Sequence, residues 1–526
     1  MFKLSKLFFP RGGVHPEPHK QHTADKPIAH GPLPPHLYLP LRQHTGAAAE
    51  AIVKVGDKVL KGQLLAISAG DVSAPVHAPT SGAIVAIEDI QVPHPVGLLA
   101  PGIVLETDGD DKPATNIDTD NTNDDPFQEP PERLAKRIAN AGIVGMGGAV
   151  FPSAVKLGKS RKKVELVLLN GSECEPYLTA DDLLMREWAE DIIDGARLIA
   201  YITGAPRSAI GIEDNKPEAI AAITQACDGF SDIDVAVVPA RYPMGSAKQL
   251  IHAVTGKEVP SGGRSSDIGV IMHNVATARA ISQTLRRGLP LISRVVTVAG
   301  GAVKNPQNIE ALIGTPMRDL IEQCGGLNHD PARLLMGGPM MGQLIHSLDA
   351  PVTKGSSGLL ALSREEVNAT RSSPCIRCAR CVSACPMGLM PLEIASRAKS
   401  DDLDGAQDYG LADCILCGSC AYVCPSHIPL VHYFQYAKGE LSVRTIEQRK
   451  VEYTLELSES KEQRLIREAA TKAAEKAAKA AAKKAKSEAA RKAREAKAAA
   501  ADAEENQESP AVHRNKTAYT AETEEV

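Results

Sequence analysis

The sequence predicts a multidomain protein of mixed α and β structure. Its 526 residues are too many for one hydrophobic core, so about three to five domains are expected. Short β-type runs dominate the N-terminal part, strand and helix patterns then alternate, and a cysteine-rich segment precedes an Ala- and Lys-rich helix former. These changes of pattern divide the chain into segments of different architecture.

The N-terminal region is predicted to contain a small β domain. Residues 1–35 are rich in His and Pro and are expected to form an irregular lead-in. Within 36–108, the segments VKVGDKVLKGQLLA and APTSGAIVAI resemble the two halves of a biotinyl/lipoyl-type barrel-sandwich hybrid. Such carrier domains present a modified lysine on a hairpin tip. The corresponding tip, near residues 70–73, has no lysine, so we expect the scaffold without a mobile arm.

An acidic linker, an α/β domain and a small β-grasp module are predicted next. The linker, 109–131, lies in a stretch (106–132) with ten Asp and Glu residues. Between 132 and 290, strand runs such as KVELVLLN, SAIGIE and IDVAVVP alternate with helical segments, of which DDLLMREWAEDIIDGARLIAYIT is expected to be one long helix. Residues 295–348 resemble the soluble ligand-binding β-grasp (SLBB) repeat.

Eight of the eleven cysteines occur in two copies of the motif C-x2-C-x2-C-x3-C-P, within a predicted domain at 365–435. This spacing is typical of bacterial ferredoxins with two [4Fe–4S] clusters, where the fourth Cys of each run ligates the other cluster. One predicted ligand set is Cys375, Cys378, Cys381 and Cys424; the other is Cys414, Cys417, Cys420 and Cys385. Zinc would leave one Cys of each triplet idle, and a disulfide knot suits small secreted chains.

The C-terminal segment, 440–526, is predicted to be a solvated helix with its own charge. Residues 461–500 hold 13 Lys and Arg against 5 Glu, which is a charge of +8. Because the net charge of the whole chain is −5, the remaining residues together carry about −13. Such a helix is either simply solvated or contacts anionic lipid or acidic partners. No aromatic residues interleave these basic ones, so no nucleic-acid partner is expected. No run of 18 apolar residues exists to span a bilayer.

Two segments of the α/β domain are candidate binding sites. Clustered glycines in GIVGMGGAVFPSAVKL bring backbone N–H groups close to a phosphate, although Gly pairs also occur in ordinary turns. The segment LLNGSECEPYLTADD crowds Glu173, Glu175, Asp181 and Asp182 after a predicted strand, where ligands of α/β sheets gather. The alternative for Asp181 and Asp182 is helix N-capping.

These segments together resemble the flavin-bearing, NADH-oxidising subunit of respiratory complex I. Its G-x-x-G-R-G-G-A-G-F-P-x-x-x-K loop is matched from Gly142 to Lys156, with Met146 for the Arg and Val150 for a Gly. Its N-A-D-E-x-E-P, Y-x-x-G-E-E and N-V-E-T segments are matched at Asn170, Glu173, Glu175, Pro176, Tyr242, Gly245, Asn274, Val275 and Thr277. Ser172, Ser246 and Ala247 replace acidic residues of that family.

The chain resembles the RnfC/RsxC family of the bacterial Rnf/Rsx electron-transport complex more closely. The resemblance runs to about residue 440 and includes NGSECEPYLTADD, RYPMGSAKQLIHAVTGKEVPSGGRSSDIGV, MGGPMMG and both cysteine motifs. It implies a peripheral NADH- and FMN-binding subunit at the cytoplasmic side of the inner membrane. With its partner subunits it would pass electrons between NADH and ferredoxin while Na⁺ or H⁺ moves, or keep a redox regulator reduced.

The resemblance also implies roles for individual residues. The implied FMN and NAD(H) ligands are Gly145, Gly147, Gly148, Lys156, Asn170, Glu173, Tyr242, Asn274 and Thr277, with Lys156 near the FMN phosphate. Glu173, Glu175 and Phe151 are implied at the reacting centre, the latter two beside the nicotinamide. Two other interpretations stay open: an iron–sulfur scaffold with a degenerate flavin site, and a stand-alone soluble oxidoreductase.

Overall fold

The computed structural model describes residues 7–114, 125–158, 163–367 and 370–505. The chain divides into two compact units, Met1–Gly439 and Glu440–Val526. The middle of the predicted acidic linker and the last part of the predicted tail lie outside the described residues. The first unit contains all of the described β-structure.

The N-terminal part of the first unit is a two-sheet β sandwich. The lead-in, which was predicted to be irregular, supplies a short strand, β1 (Ala29–His30), to a sheet formed much later in the chain. The sandwich strands are β2 (His36–Pro40), β3 (Glu50–Ala51), β4 (Lys58–Val59), β5 (Leu64–Ile67), β6 (Val76–His77), β7 (Gly82–Gln91) and β8 (Leu99–Thr107). Sheet orders are β2-β8-β7-β4 and β3-β5-β6, and every pair is antiparallel.

The α/β domain has a four-stranded parallel sheet in the order β11-β10-β9-β12. Its elements are α1 (Pro131–Asn140), α2 (Ser153–Gly158), β9 (Leu166–Gly171), α3 (Ala180–Glu187), α4 (Ala189–Thr203), β10 (Ser208–Glu213), α5 (Pro217–Ala226), β11 (Ile233–Val238), α6 (Ala247–Thr255), β12 (Val270–Asn274) and α7 (Val275–Arg287). Buried Leu39 and Ile103 of the sandwich share one hydrophobic core with Ile138 and Ile199 of this domain.

The predicted single long helix after residue 180 is wrong, because the chain breaks at Trp188. There φ is −132° and ψ is 41°, which are not helical values, and α3 ends while α4 begins. The Arg279 guanidinium lies 3.6 Å from the centre of the indole ring, a cation–π contact that fixes the junction. Beyond the break, α4 packs along α7.

A six-stranded mixed sheet follows, in the order β1-β14-β13-β17-β15-β16. Its new elements are β13 (Ser293–Ala299), β14 (Gln307–Leu312), α8 (Met317–Gln323), β15 (Arg333–Met336), β16 (Gln343–Leu344) and β17 (Gly358–Leu362). The strand, turn, strand and helix predicted for 295–348 are present. The sheet extends beyond that range, however, because β17 pairs with both β13 and β15.

The cysteine-rich region is built from short helices around two loops. These are α9 (Arg380–Ala384), α10 (Pro391–Lys399), α11 (Leu403–Asp408) and α12 (Ser419–Tyr422), after which α13 (Leu430–Glu505) begins. The second unit is the continuation of α13, and its residues 442–502 are all exposed, as predicted for a solvated helix. Among the described residues, no helix combines the length and apolarity needed to cross a membrane.

The close packing of α4 on α7 gives a test of the fold. A Cβ added at Gly195 would overlap the carbonyl oxygen of Ala278, so we expect Gly195→Ala to lower the unfolding free energy by about 1–3 kcal/mol. The measurement is urea unfolding followed by fluorescence of Trp188, the only tryptophan. Gly439→Ala, also within a helix but with nothing within 4 Å of its Cβ, is the control and should not lower the urea concentration of that transition. Unfolding of Gly195→Ala at or above the wild-type urea concentration would contradict this packing.

Candidate functional site

The glycine-rich loop of the α/β domain connects α1 to α2 and lies against the carboxyl end of β12. The loop closes through an N–H···O bond of 2.8 Å from Gly145 to Phe151, and the Met146 N–H donates to Thr277 Oγ1 at 3.0 Å. A Cβ on Gly147 would lie 3.3 Å from that of Asn274, whereas one on Gly148 would meet nothing within 4 Å. The loop is therefore anchored on one side and open at Gly148, with room for a bound group.

The positive charge at this loop comes from Lys156, in α2. Its ammonium lies 4.0 Å from the Cβ position of Gly145 and makes one long bond, 3.4 Å, to the Met272 carbonyl oxygen. Burial lowers the pKa of Lys156. Beside it His273 is buried with neither ring nitrogen bonded, and burial and the Lys156 charge lower the pKa of His273 to about 3. A half-buried cation with so few partners fits the phosphate of a flavin mononucleotide.

The ends of β9 and β12 bring the two predicted asparagines together. Asn274 caps α7 by accepting from the Ala276 N–H at 2.9 Å, and its amide donates to Asp181 at 2.6 Å. Asn170 donates to the Gly245 carbonyl oxygen at 2.8 Å. Both amides thus hold neighbouring loops in place, and Thr277 does the same for the glycine loop.

The acidic turn after β9 is held by Lys20, a residue of the lead-in that sequence reasoning missed. Its ammonium donates to the carbonyl oxygens of Glu173 (2.9 Å), Glu175 (3.0 Å) and Leu178. These three bonds use every donor of the side chain. They hold a turn in which Glu173 has a φ of +46° and Tyr177 a φ of +67°, left-handed values that are unusual outside glycine.

The two glutamates of this turn point to different elements. The Glu173 carboxylate accepts from the N–H groups of Asp181 (2.8 Å) and Asp182 (3.1 Å). Helix α3 is therefore capped by Glu173, and the alternative that Asp181 and Asp182 cap it is wrong. Asp182 instead pairs with Arg186 at 2.5 Å. Burial raises the pKa of Glu173 to about 7, and the nearby Lys20 charge opposes that shift.

Glu175 faces the turn between β15 and β16. Its carboxylate accepts from the Met340 N–H at 3.0 Å and the Met341 N–H at 2.9 Å. Burial raises the pKa of Glu175 to about 7, although these two bonds act in the opposite direction. Phe151 is half-buried at the end of the glycine loop. The Glu175 carboxylate is therefore already hydrogen-bonded to the backbone of the turn between β15 and β16.

The eight motif cysteines line two cavities. One is lined by Cys375, Cys378, Cys381 and Cys424, and the other by Cys385, Cys414, Cys417 and Cys420. Each cavity thus combines three thiols of one motif with the fourth thiol of the other, the sets that the spacing predicted. Within the described ranges no three His, Cys, Asp or Glu side chains converge on one mononuclear metal position, whereas a cubane takes its thiols at separate corners.

The two cavities differ in their surroundings. Cys417 and Cys420 are buried, and the apolar side chains of Ile394 and Phe434 line their cavity. Cys375 and Cys378 are exposed. Backbone N–H groups donate to Cys375 Sγ from Arg377 and to Cys385 Sγ from Leu389, each at 3.4 Å. Such bonds to sulfur raise cluster potentials, and so does exposure to water, so the two centres have different environments for reduction.

The buried cysteine loop packs against the α/β domain. The Tyr242 hydroxyl donates to the Cys417 carbonyl oxygen at 2.6 Å, and Tyr242, Cys417 and Val14 share one hydrophobic cluster that also contacts Cys174. Met340, whose N–H bonds Glu175, lies with its carbonyl oxygen 3.1 Å from the Cβ position of Gly418. Tyr242 therefore contacts the cysteine loop.

Arg294 is a second residue that sequence reasoning missed. It is the second residue of β13, is 5% exposed, and donates to the carbonyl oxygens of Met146 (3.3 Å) and Ser356 (3.2 Å). The positive charge of Arg294 attracts the negative charge of the Asp181 carboxylate. The loop itself has Met146 where the complex I family has Arg, and Arg294 places a guanidinium at that residue from another element. A buried Arg at the start of a strand carries no sequence signal of this role.

Sequence models of four domain families match the chain. They are the RnfC barrel sandwich hybrid domain over 9–110, the Nuo51 FMN-binding domain over 138–283, the SLBB domain over 295–344 and a 4Fe-4S dicluster domain over 374–428. These matches confirm the predicted fold class. Together with the site they define an iron–sulfur flavoprotein of electron transport, whose cofactors are FMN and two [4Fe–4S] clusters; binding of NAD(H) fits the same FMN domain.

Similar proteins identify the family. The C component of the ion-translocating oxidoreductase complex of Rhodobacter capsulatus is 46% identical over 84% of this chain and 85% of its own length. The C component of the proton-translocating ferredoxin:NAD(+) oxidoreductase complex of Clostridium ljungdahlii is 43% identical over 82% of this chain and 93% of its own. The chain belongs to this family, the RnfC family.

One solved structure, an NAD⁺-reducing [NiFe]-hydrogenase in the H₂-reduced state, aligns over 63% of this chain and 65% of that chain. Its sequence identity is 16% and its TM-score is 0.43. The family assignment rests on the sequence matches alone.

The ligand sets can be tested by comparing cysteine variants. Cys385→Ser and Cys417→Ser should each remove the same cluster and leave the cluster of the exposed loop, since both thiols line one cavity. Each variant should lose about half of the iron, and the electron paramagnetic resonance signal that remains should be the same in both. Cys378→Ser should remove the cluster of the exposed loop, so that only the signal of the buried cluster remains. A Cys385→Ser spectrum that matches Cys378→Ser would contradict the crossed ligand sets.

The buried His273 gives a pH test. Its pKa is lowered from 6.5 to about 3 in the folded chain, so below pH 6.5 the unfolded chain binds a proton that the folded chain does not. Stability therefore falls as pH is lowered through 6.5, by up to about 1.4 kcal/mol per pH unit for this one proton. In His273→Gln this slope should be smaller, as measured by urea unfolding with Trp188 fluorescence between about pH 7.5 and 5.5. His329→Gln, an exposed control, should keep the wild-type slope; equal slopes in all three proteins would refute the assignment.

Proposed function

We propose that this chain is the electron-input subunit of an ion-translocating membrane complex. It passes electrons between NAD(H), FMN, two [4Fe–4S] clusters and partner subunits, with NADH and ferredoxin as the outer redox couples and Na⁺ or H⁺ as the coupled ion. The observation that supports this best is the contact of the buried cysteine loop with Tyr242 of the flavin domain. A cluster accepts one electron at a time, so a flavin, which also accepts a hydride, is needed beside it.

The glycine loop is the proposed FMN site. Lys156 would bind the phosphate, with the backbone N–H groups of Gly147 and Gly148 beside it. Gly145 would shape the loop, because its N–H donates to the Phe151 carbonyl oxygen. The open position at Gly148 and the nearly unpartnered Lys156 ammonium support this role. Three polar residues would position this site by hydrogen bonds to its surroundings. Asn170 bonds the Gly245 carbonyl oxygen, Asn274 bonds Asp181, and Thr277 accepts a bond from the Met146 N–H of the glycine loop.

The nicotinamide is proposed to lie beside Phe151 and Glu175, with Glu173 on the flavin side of the turn. Burial around Glu175 excludes water from a hydride transfer, and its raised pKa of about 7 lets it bind or release a proton near neutrality. Tyr242 would hold the cysteine loop against the flavin domain, because its hydroxyl donates to the Cys417 carbonyl oxygen.

The domain limits and the location are also proposals. The limits are a lead-in at 1–35, a sandwich at 36–108, a linker at 109–131, the flavin domain at 132–290, the β-grasp at 295–348, the ferredoxin domain at 365–435 and the tail from 440. The chain is a subunit of a membrane complex, and we place it peripherally on the cytoplasmic side of the inner membrane. NADH and the reducing conditions that cluster assembly needs are found there.

A second candidate is an iron–sulfur scaffold with a degenerate flavin site. The replacements Met146, Val150, Ser172, Ser246 and Ala247 favour it. Arg294, which donates to the Met146 carbonyl oxygen, restores a positive charge near the loop and favours the flavin. Purified protein that contains both clusters but neither retains nor binds FMN would support the scaffold.

Reconstitution with FMN and NADH tests the proposal. Wild-type protein should bind FMN, and NADH should bleach the flavin and reduce the clusters. Lys156→Gln should weaken FMN binding about 10- to 100-fold, because a charge-assisted bond to phosphate is lost. Lys136→Gln, which changes an exposed lysine on α1, is the matched control and should bind FMN as the wild type does. Absence of flavin bleaching and of cluster reduction in the wild type would end the proposal.

A further inference from the structure

The two cysteine loops have matching backbones. Arg377 and Leu416 occupy the same motif position and have φ values of +54° and +56°. Ala379 and Gly418, two residues further along, have φ values of +58° and +81°. The two loops therefore share one backbone conformation at these positions. Any difference between them lies in their side chains and in the residues around them.

Their surroundings differ completely. The second loop is covered by Tyr242 and Met340, and its Cys417 and Cys420 are buried. In the first loop every residue from 371 to 380 is exposed, including Ile376 at 69%. Residues of α10 such as Leu392 and Ala395 close the cavity of the first loop on one side, but the loop itself is exposed, so its cluster site opens to solvent on the other side.

The exposed loop carries positive charge that the covered loop lacks. Arg377 and Arg380 stand where Leu416 and Ser419 stand in the second copy, and Arg371 precedes them. No acidic residue occurs between 370 and 392. Lys399 lines the same cavity as Arg377. Among the described residues none of the three arginines has an ion pair, whereas the nearby Arg397 is paired with Asp402. We call Arg371, Arg377 and Arg380 the arginine surface.

We propose that the arginine surface docks an acidic electron-carrier protein over the exposed cluster, an inference that rests on the proposed function. These three guanidinium groups, which have no ion pair among the described residues, fit carboxylates, which they bind through paired N–H donors. Their charge also steers an anionic partner during encounter. Exposed Ile376 supplies an apolar contact at the centre. Each encounter moves one electron, which oxidises the donor by one and reduces the acceptor by one without bond formation. A lipid surface would also attract arginines but has no electron to exchange.

Direct binding tests the surface. The probe is a purified, strongly acidic 2[4Fe–4S] ferredoxin, titrated onto the cluster-loaded full chain at low salt. The Arg371→Gln/Arg377→Gln/Arg380→Gln variant should weaken binding at least about tenfold, and Arg377→Gln alone by about two- to fivefold. The dependence of binding on salt should also decrease in the triple variant, because fewer charges interact.

Matched variants separate this surface from general charge. Arg333→Gln removes an exposed arginine on β15 that has no ion pair within the described ranges, and it should change binding less than about 1.5-fold. Arg377→Lys keeps the charge and should bind more tightly than Arg377→Gln. Iron content and the visible spectrum check that each variant retains its clusters; if the triple variant loses them, the Arg377 pair decides.

Four outcomes would overturn the proposal. They are unchanged ferredoxin binding in the triple variant, an equal loss in Arg333→Gln, equally tight binding of the basic carrier cytochrome c through the same arginines, and arginine-dependent binding of anionic phospholipid vesicles without ferredoxin binding. Reduction of the clusters by NADH is measured separately in every variant. Failure of that reaction in the wild type ends the proposed function, whereas its success with unchanged ferredoxin binding refutes only the arginine surface.

Discussion

The hydrogen bond from the Tyr242 hydroxyl to the Cys417 carbonyl oxygen, 2.6 Å long, joins the flavin domain to the iron–sulfur domain. Around it Val14, Cys174 and Ala384 exclude water, so the second cysteine loop lies in an apolar contact rather than at the surface. Electron transfer between bound centres requires that they be held close together. This contact therefore determines which cysteine loop lies against the flavin domain, while Cys375 and Cys378 of the other loop are exposed.

The acidic turn that carries Glu173 and Glu175 depends on a residue far away in the sequence. Left-handed backbone at Glu173 and Tyr177 costs about 1–3 kcal/mol at each residue. Lys20 offsets that cost by bonding three carbonyl oxygens of the turn. The lead-in is thus part of the site, and the turn directs one glutamate to α3 and the other to the Met340 turn.

Local patterns predicted much of this architecture. The cysteine spacing predicted two crossed thiol sets, and the structure groups the thiols in those sets, because a short loop can reach only one cavity. The alternation of strands and helices predicted the parallel sheet. The break at Trp188 was not predicted, since the helical spacing continues through it and the contact of Trp188 with Arg279 joins residues far apart in the sequence. Lys20 and Arg294 were missed for a similar reason: their roles arise only when distant segments meet, and their neighbours in sequence give no indication.

The β-sandwich hairpin between β5 and β6 is fixed in place. The Ala47 N–H donates to the Val72 carbonyl oxygen at 3.0 Å, and the Ala74 N–H donates to His44 Nε2 at 2.9 Å. In carrier proteins this hairpin delivers a prosthetic group by swinging, but here it is tied down and the sandwich shares its core with the flavin domain. The hairpin therefore cannot carry a group between distant sites as the arm of a carrier protein does, and the sandwich serves as a rigid support for the domain packed on it.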